Sequence, residues 1–195
     1  DNPGGYVNAA VSKSVSDAYN GAPFVPHMVT VYPSTEDYRV LLGIPANATV
    51  FGRHGGPDTF DLVMTKNAIM RILNERKDIY FLFAVRPYMF RDISHKRLIC
   101  LDIFTKPHVK RKFINTCDAM IHACSLGETF GLSVAEFSIC NKPVITWNGG
   151  RCREHLRILG DKCIKYNNEQ EVYNILTTFK DDKRDWDAYS KDYNP

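Results

Sequence analysis

Two glutamates in a short glycine-containing segment are the residues of this sequence best suited to bind a polar ligand. The segment SLGETFGLSVAE spans residues 125–136, and within it Glu128 and Glu136 are eight residues apart. This spacing predicts that Glu128 lies in a loop and Glu136 about two turns into the following helix. Glu136 is then suited to accept two hydrogen bonds from a ribose diol, each worth about 1.5–3 kcal/mol because the acceptor is charged. Two unrelated glutamates, one exposed and one capping, are the alternative.

The glycines of the same segment predict an anion-binding turn. Gly127 and Gly131 bracket the turn that precedes the helix. The amides of residues 130–132 would then lie at a helix N-terminus, where free N–H groups and about half a positive charge favour a phosphate. A diphosphate bound there would leave Glu136 for the ribose and Glu128 for hydroxyls at the other end of the ligand.

A second glycine-rich loop, GRHGGPDT, follows the first predicted strand. Gly55 and Gly56 allow the backbone to approach a ligand closely, and Arg53 offers a forked, permanently charged donor for a phosphate. Asp58 or Thr59 is expected to cap the next helix. The loop is neither a Walker A motif nor GxGxxG, and a simple tight turn with a solvated arginine is the alternative.

From residue 48 onward, apolar strand-like runs alternate with amphipathic helices. DIYFLFAV at 78–85 is an unbroken apolar run, as expected of a strand buried on both faces. The alternation predicts an α/β, doubly wound parallel sheet of about six strands, with ligands at the carboxyl ends of the strands. The predicted strands are ATVFGR, DIYFLFAV, RLICLDIF, DAMIHAC, KPVITW and DKCIKY, and the predicted helices cover 12–19, 59–76, 109–116, a stretch from about 130, 153–159 and a stretch around 172–179.

The chain divides into three predicted segments. Residues 1–26 are polar and rich in small residues, which predicts a lead-in segment or linker. Residues 27–180 form the predicted domain. A short strand is predicted across its start, over Val25 to Val31. Residues 181–195 mix acidic, basic and aromatic side chains and predict a surface tail or helix. The first residue is Asp1 rather than methionine, which fits either a piece of a larger protein or a stand-alone chain.

The composition excludes several classes of protein. Apolar residues make up 44% and charged residues 24% of the 195, close to a globular average, which excludes disorder, collagen and coiled coil. No apolar run approaches the ~18 residues of a membrane helix, so no transmembrane segment is predicted. A net charge of +3 is too small to predict nucleic-acid binding.

The cysteines and histidines indicate neither disulfides nor a metal. Six cysteines occur without a CxxC pair, several of them in apolar runs, which predicts free thiols in a reducing, cytoplasmic compartment. Six histidines are scattered without metal-ligand spacing and no HExxH occurs. We therefore predict no metal site.

Several ordered motifs resemble one family of enzymes. GETFGLSVAEFSICNKPVIT resembles the E-[GS]-F-G-x4-E stretch of retaining GT-B glycosyltransferases, especially glycosyltransferase family 4. LGIPANATVFGR, KRKFINTCDAMIHACSLGETFGL and WNGGRCREHL resemble further pieces of the family in the same order. The similarity runs from about Val25 to Phe179. It implies a Rossmann-like domain that forms the nucleotide-sugar-binding, C-terminal half of a GT-B fold.

The resemblance also implies roles for individual residues. Glu128 matches the family glutamate that faces the donor sugar, where it orients the sugar rather than attacking it, and Arg53 matches the first basic residue on the diphosphate; these two are the predicted catalytic residues. Glu136 matches the glutamate that holds the ribose. The remaining predicted nucleotide-sugar contacts are Thr129, Phe130, Gly131, Leu132, Gly55 and Gly56.

One family residue has no counterpart. The family usually has a lysine, in a Lys-Gly pair, a few residues after the position of Arg53, and this chain has Gly55, Gly56 and Pro57 there. Arg86, Lys106 and Lys110 are candidate substitutes, each with a solvated-surface alternative.

The implied function is transfer of a sugar from a nucleoside diphosphate sugar, UDP- or GDP-linked, to an acceptor hydroxyl such as that of a glycan, with retained configuration and no permanently bound cofactor. An acceptor-binding domain would precede residue 1 or lie in a partner chain. A non-catalytic nucleotide-binding or scaffolding module of the same fold is the main alternative, and a sugar-nucleotide epimerase is a third. The base, sugar and acceptor have no residue signature; by analogy, backbone groups near Ile103–Lys106 recognise the base.

Overall fold

A parallel β-sheet of six strands forms the centre of the molecule. The computed structural model describes residues 8–102 and 106–195. Two further strands of two residues each form a separate parallel pair. In chain order the strands are β1 (Thr49–His54), β2 (Ile79–Ala84), β3 (Leu98–Leu101), β4 (Ala119–His122), β5 (Gly127–Glu128), β6 (Val144–Trp147), β7 (Cys152–Arg153) and β8 (Ile164–Tyr166).

The order of strands in the main sheet is β3-β2-β1-β4-β6-β8. The chain moves outward from β1 through β2 to β3 and then returns to the other side of β1 with β4. The carboxyl ends of β1 and β4 therefore flank the topological switch point, where ligands bind in doubly wound folds. The predicted α/β, Rossmann-like doubly wound parallel sheet of six strands is confirmed.

Helices cover both faces of this sheet. They are α1 (Lys13–Ala18), α2 (Val63–Glu75), α3 (Pro107–Thr116), α4 (Leu132–Ile139), α5 (Glu154–Leu159), α6 (Glu169–Thr178) and α7 (Ser190–Tyr193), with a 3₁₀ helix at Tyr88–Phe90. In β1, Val50 packs into one core and Phe51 into the other, because successive strand residues point to opposite faces. Residues of α3 and α4 complete the first core, and residues of α2 and α6 complete the second.

The loop between β1 and α2 differs from the prediction. Helix α2 begins at Val63, four residues after the predicted start at Thr59, and no side chain caps it. Thr59 Oγ1 instead accepts a hydrogen bond from Arg53 at 2.8 Å, and Asp61 accepts one from a backbone amide of the β4–α4 loop at 2.7 Å. These contacts tie the segment to its neighbours and keep it non-helical. The prediction that Asp58 or Thr59 caps the helix is therefore wrong.

The strand predicted over Val25 to Val31 is also wrong. Those seven residues are all described and contain no strand. The amide of Val29 donates to the carbonyl of Tyr193 at 2.7 Å, so the segment is tied to the C-terminal residues rather than to a sheet edge. The lead-in residues before it contain α1 and one isolated bridge between Ala10 and Phe24.

The C-terminal segment returns to the core. It contains α7, but the side chains of Trp186, Tyr189 and Tyr193 are 2%, 0% and 7% exposed. The expected surface position is wrong for these three residues. Tyr189 and Tyr193 are buried because their rings join the core cluster that contains residues of α4. The backbone of Trp186 is hydrogen-bonded to Ser138 and Asn141 at the end of that helix. The segment boundaries at residues 26 and 180 remain predictions.

Candidate functional site

A cleft of about 420 Å³ opens at the carboxyl ends of β1 and β4, next to the switch point of the sheet. Its walls come from the loop after β1, the loop between β4 and α4, helix α3 and the extended segment before β1. Every predicted site residue except Arg53 lines it. The lining residues are His27, His54, Gly55, Gly56, Thr59, Lys110, Glu128, Thr129, Phe130, Gly131, Leu132, Ser133 and Glu136.

The N-terminus of α4 forms one wall of the cleft. Gly131 precedes the helix with φ 82° and ψ 68°, and a Cβ at this position would lie 3.3 Å from Cβ of Glu128. A glycine therefore allows the sharp left-handed turn that brings Glu128 beside the helix start. No side chain caps α4 and its first turn has no acidic residue. The first amides of a helix lack intrahelical partners, so this wall is suited to an anion.

Glu136 lies one helical turn further along α4 and is paired on both oxygens. Lys110 Nζ contacts Oε1 at 2.5 Å, and Nε2 of His54 lies 3.1 Å from Oε2, although the ring N–H does not point directly at that oxygen. Burial alone favours the neutral acid, but contact with His54 and Lys110 outweighs it and holds the pKa of Glu136 below its ordinary value. Glu136 is therefore an ionised acceptor at neutral pH.

Glu128 lies on β5 and contacts the end of β4. Its Oε1 is 3.2 Å from Nε2 of His122, which is itself 5% exposed. The neighbouring Gly127 has φ 74°, and a Cβ there would lie 1.9 Å from the carbonyl oxygen of Cys152. Only glycine permits this approach, which allows β5 to pair with β7 and fixes the height of Glu128 above the sheet.

Arg53 lies beneath the cleft rather than in its wall. Its side chain is 3% exposed, and Nη2 donates to the carbonyl of Gly56 at 2.7 Å and to Oγ1 of Thr59 at 2.8 Å. Nη1 is buried and has no hydrogen-bond partner among the described residues. Burial lowers the pKa of the guanidinium to about 10, with the carboxylate of Glu128 opposing the shift, so Arg53 stays charged at neutral pH.

A small void connects Arg53 with the Glu128 side of the site. It measures about 10 Å³, close to the space one water occupies, and Arg53, His122, Glu128 and Ser133 are among its lining residues. Arg53, whose Nη1 has no hydrogen-bond partner among the described residues, therefore faces polar groups below the floor of the cleft.

A second cavity of about 350 Å³ adjoins the cleft at the end of β2. The two share the residues 54–56 and Lys110, and the second is completed by Pro57, Ala84 and Val85. The combined site is elongated and has Lys110 where its two parts meet. Such a shape suits a ligand with an anionic middle and a flat, mostly apolar end.

Of the three candidate substitutes for the absent family lysine, Lys110 alone lines the site as described. Arg86 turns away and donates to the carbonyls of Phe90 and Ile93 at 3.2 and 2.6 Å. Lys106 is exposed and lines neither cavity.

Several lining residues carry no predicted site role. His27 lies against Phe130, with ring centroids 5.4 Å apart, and belongs to the segment predicted as a short strand over Val25 to Val31. Ser133 and Thr59 also reach the cleft. Helical spacing would have placed Ser133 beside the first turn of α4, whereas nothing in the sequence signals that His27 comes from about 100 residues upstream to meet this loop.

Three expectations concern features outside the cleft. Within residues 8–102 and 106–195, no group of three or more histidine, cysteine or carboxylate side chains is placed to hold a metal ion. None of the helices in those ranges combines the length and apolar character that a membrane crossing requires. The segment expected to recognise a base, near Ile103–Lys106, falls mostly outside the described residues.

The fold is similar to that of several solved glycosyltransferases. HepE from Anabaena, solved with UDP and glucose, has a TM-score of 0.63 and 19% identity, over 92% of this chain and 55% of HepE. WaaG, a glycosyltransferase involved in lipopolysaccharide biosynthesis, has a TM-score of 0.59 and 13% identity, over 87% of this chain and 52% of WaaG. A UDP-forming α,α-trehalose-phosphate synthase from Burkholderia vietnamiensis has a TM-score of 0.62 and 10% identity, over 88% and 53% of the two chains.

These likenesses are likenesses of fold. The sequence matches no protein-family model and is not detectably similar to any curated protein. The chain spans about half the length of each of the three solved proteins. The predicted GT-B architecture is confirmed, while the assignment to family 4 remains a prediction. The chain has the fold of the Rossmann-like, C-terminal half of a GT-B glycosyltransferase.

Proposed function

We propose that this chain binds the nucleoside diphosphate sugar donor of a glycosyltransferase. The observation that carries the proposal is the placement of Glu128, Glu136 and the open N-terminus of α4 in one cleft. An ionised carboxylate, a set of free amides and a second carboxylate then follow one another along one wall. That sequence of groups complements a ribose, a diphosphate and a sugar.

The electrostatics of the site suit a doubly charged diphosphate. The α4 amides and Lys110 line the cleft and the charged Arg53 lies beneath it, so all three would supply positive potential to an anion bound there. During transfer, negative charge grows on the diphosphate as it leaves the sugar, and fixed dipoles already directed at that position stabilise the charge without reorganisation. Glu128 would orient the sugar through its hydroxyls. The reaction would retain the anomeric configuration and need no metal ion, as the family resemblance implies.

The donor base fits the second cavity. Its lining includes the apolar residues Pro57, Ala84 and Val85, and Lys110 lies where this cavity meets the cleft proposed for the diphosphate. HepE is solved with UDP and with UDP-glucose, which makes these the first ligands to test. GDP-linked donors are the alternative within the proposal.

An acceptor half completes the proposed enzyme. The chain spans about half the length of the similar solved proteins, so the acceptor-binding domain would be supplied by a preceding segment or a partner chain in the cytoplasm. We expect this chain alone to bind donor weakly and to transfer little sugar to a simple acceptor. Efficient transfer by the chain alone would contradict this division of roles.

A non-catalytic nucleotide-binding module is the second candidate. Two observations favour it: Nη2 of Arg53 is already engaged by Gly56 and Thr59, and the family lysine beyond Arg53 is absent. Under this alternative the chain binds a nucleoside diphosphate through α4 and Glu136, but a linked sugar adds nothing to the affinity.

A thermal-shift panel distinguishes the candidates. UDP, GDP and ADP, each with and without a linked sugar, would be compared on the wild-type chain, on Glu136→Gln and on Glu169→Gln, an exposed glutamate of α6 outside the cleft. We expect the diphosphate of one base to raise the melting temperature of the wild type and of Glu169→Gln but not that of Glu136→Gln. The shift produced by its sugar conjugate should differ from that produced by the free diphosphate. Stabilisation by the diphosphate with no effect of any linked sugar supports the non-catalytic module, and no stabilisation by any ligand contradicts both.

A further inference from the structure

A buried chain of hydrogen-bonding groups runs from Glu128 into the protein. Oε1 of Glu128 lies 3.2 Å from Nε2 of His122, and Nδ1 of His122 lies 2.9 Å from Oγ1 of Thr146. Oγ1 of Thr146 lies 3.3 Å from Nε2 of His155. His122, Thr146 and His155 are 5%, 0% and 0% exposed, so these three side chains are shielded from bulk solvent.

The fold fixes the members of this chain relative to one another. His122 and Thr146 are opposite partners in the parallel pairing of β4 with β6. His155 is the second residue of α5, directly after β7, and β7 pairs with β5 so that Arg153 lies opposite Glu128. Glu128 is thus joined to His155 twice, once through the backbone of the β5–β7 pair and once through the side chains.

The chemistry of these groups allows one consistent set of proton positions for a neutral His122. An ionised carboxylate only accepts hydrogen bonds, so Nε2 of His122 carries the proton that faces Glu128. Nδ1 then accepts from the hydroxyl of Thr146, whose oxygen accepts from Nε2–H of His155. His155 stays neutral at physiological pH, because burial lowers its pKa to about 3.

The contact occupies one oxygen of Glu128 and leaves the other available. Within the described ranges Oε1 is the oxygen that His122 engages, while Oε2 receives no hydrogen bond. The side chain of Glu128 is 26% exposed and would otherwise sample several rotamers. A carboxylate held at one oxygen presents the other in a fixed direction, which reduces the entropy lost when a ligand hydroxyl binds.

We propose that His122 is a positioning residue that aims the carboxylate of Glu128 at the hydroxyls of the donor sugar, with Thr146 and His155 fixing its ring. This inference rests on the proposed donor-binding function. It predicts that His122 affects the sugar portion of donor binding and leaves the nucleoside diphosphate portion unchanged, since His122 lines the void below Glu128 and not the cleft that holds the nucleotide.

The test compares dissociation constants for UDP and UDP-glucose, measured by calorimetry on the full chain. His122→Leu removes the hydrogen-bond donor that faces Glu128, whereas His122→Gln keeps an amide N–H at a similar reach. We expect His122→Leu to leave the dissociation constant for UDP unchanged and to raise that for UDP-glucose, so that their ratio changes about tenfold. This is the effect of one hydrogen bond to a charged group. We expect His122→Gln to restore most of the wild-type ratio.

Each contrary result has a separate meaning. An unchanged ratio in His122→Leu, with UDP binding intact, overturns the positioning role and leaves the proposed function standing. Absence of binding of UDP, GDP, ADP and their sugar conjugates to the folded wild type overturns both.

A spectroscopic readout covers the case in which His122→Leu fails to fold. The ¹⁵N resonances of the His122 ring in the wild type, at alkaline pH where imidazoles are neutral, report which nitrogen carries the proton. We expect the Nε2–H tautomer in the wild type and a mixture of tautomers in Thr146→Val. A dominant Nδ1–H tautomer in the wild type would overturn the inference.

Discussion

The hydroxyl of Tyr189 donates a hydrogen bond to the backbone carbonyl of Phe130 at 2.8 Å, inside the protein. The ring of Phe130 also meets the rings of Tyr189 and Tyr193 edge-on, with centroids 5.5 and 5.1 Å apart. The C-terminal segment therefore supports the turn that carries the α4 amides and Glu128. The amide donors of the cleft depend on residues almost sixty positions away in sequence.

Removing this hydroxyl should destabilise the protein. In Tyr189→Phe the buried carbonyl of Phe130 loses its partner, and we expect the free energy of unfolding to fall by about 1–2 kcal/mol. Urea unfolding monitored by circular dichroism measures the change. Tyr173→Phe, which removes an exposed hydroxyl bonded to Glu75, is the matched control and should cost less than about 0.5 kcal/mol. Equal costs for the two variants would argue against a supporting role for Tyr189.

Gly131 should be required for the shape of the cleft. Gly131→Ala forces a side chain into left-handed backbone and brings Cβ to 3.3 Å from Glu128 and Val134, so we expect a loss of about 1–2 kcal/mol and weaker nucleotide binding. Gly43→Ala is a matched control, because Gly43 has φ 63° with no atom within 4 Å of the added Cβ. It should lose stability but bind nucleotide normally. Normal nucleotide binding by Gly131→Ala would show that the left-handed turn at Gly131 is not needed for the binding site.

Lys110 should act on the diphosphate rather than on the nucleoside. Its ammonium group pairs with Glu136 and lies where the two cavities meet, so we expect Lys110→Met to weaken UDP binding about tenfold and uridine binding much less. Calorimetric titrations with the two ligands measure this. Lys106→Met removes an exposed charge outside both cavities and serves as the control. Equal weakening of UDP and uridine by Lys110→Met would mean that Lys110 acts through Glu136 alone.

The buried neutral His155 should make stability depend on pH. Its pKa is lowered from 6.5 to about 3, so between these values the unfolded chain binds a proton that the folded chain excludes. Stability therefore falls as pH drops below 6.5, with a slope of at most about 1.4 kcal/mol per pH unit. Between pH 6.5 and about pH 5 the wild type should lose about 1.5 kcal/mol more than His155→Gln. Parallel stability profiles for the two proteins would show that folding leaves the pKa of His155 unchanged.

The repeating part of the fold follows from local sequence patterns. Six apolar runs alternate with amphipathic stretches, and each run became a strand of the main sheet because residues buried on both faces of a parallel sheet leave an unbroken apolar signature. The prediction for the start of α2 is wrong because Thr59 binds Arg53 of β1 and Asp61 binds the loop after β4, and such contacts override local helix signals. Burial of Trp186 and Tyr189 depends on tertiary packing that a mixed polar and aromatic segment does not reveal.

The candidate site shows the same division. Glu128, Glu136 and the amides of the α4 turn were found because they lie close together in sequence and match a known pattern. His122 lies only six residues before Glu128, at the end of the preceding strand. His27 and Lys110 come from separate elements, and their contacts with Phe130 and Glu136 depend on the tertiary fold. Sequence spacing carries no information on such contacts. The burial of Arg53 below the cleft was likewise invisible, since an arginine after a strand is equally compatible with solvent.

The proposal that a nucleotide binds in this cleft through Glu136 is tested by a calorimetric titration of the full chain with UDP, run on the wild type and on Glu136→Gln in parallel. We expect saturable binding at one site in the wild type. Binding should be weakened at least about tenfold in Glu136→Gln, because the ribose loses a charged acceptor, and preserved in Glu169→Gln. Equal affinity in the wild type and Glu136→Gln would contradict the placement of the nucleotide in this cleft. If GDP or ADP binds in place of UDP with the same dependence on Glu136, the donor site stands and the base is reassigned.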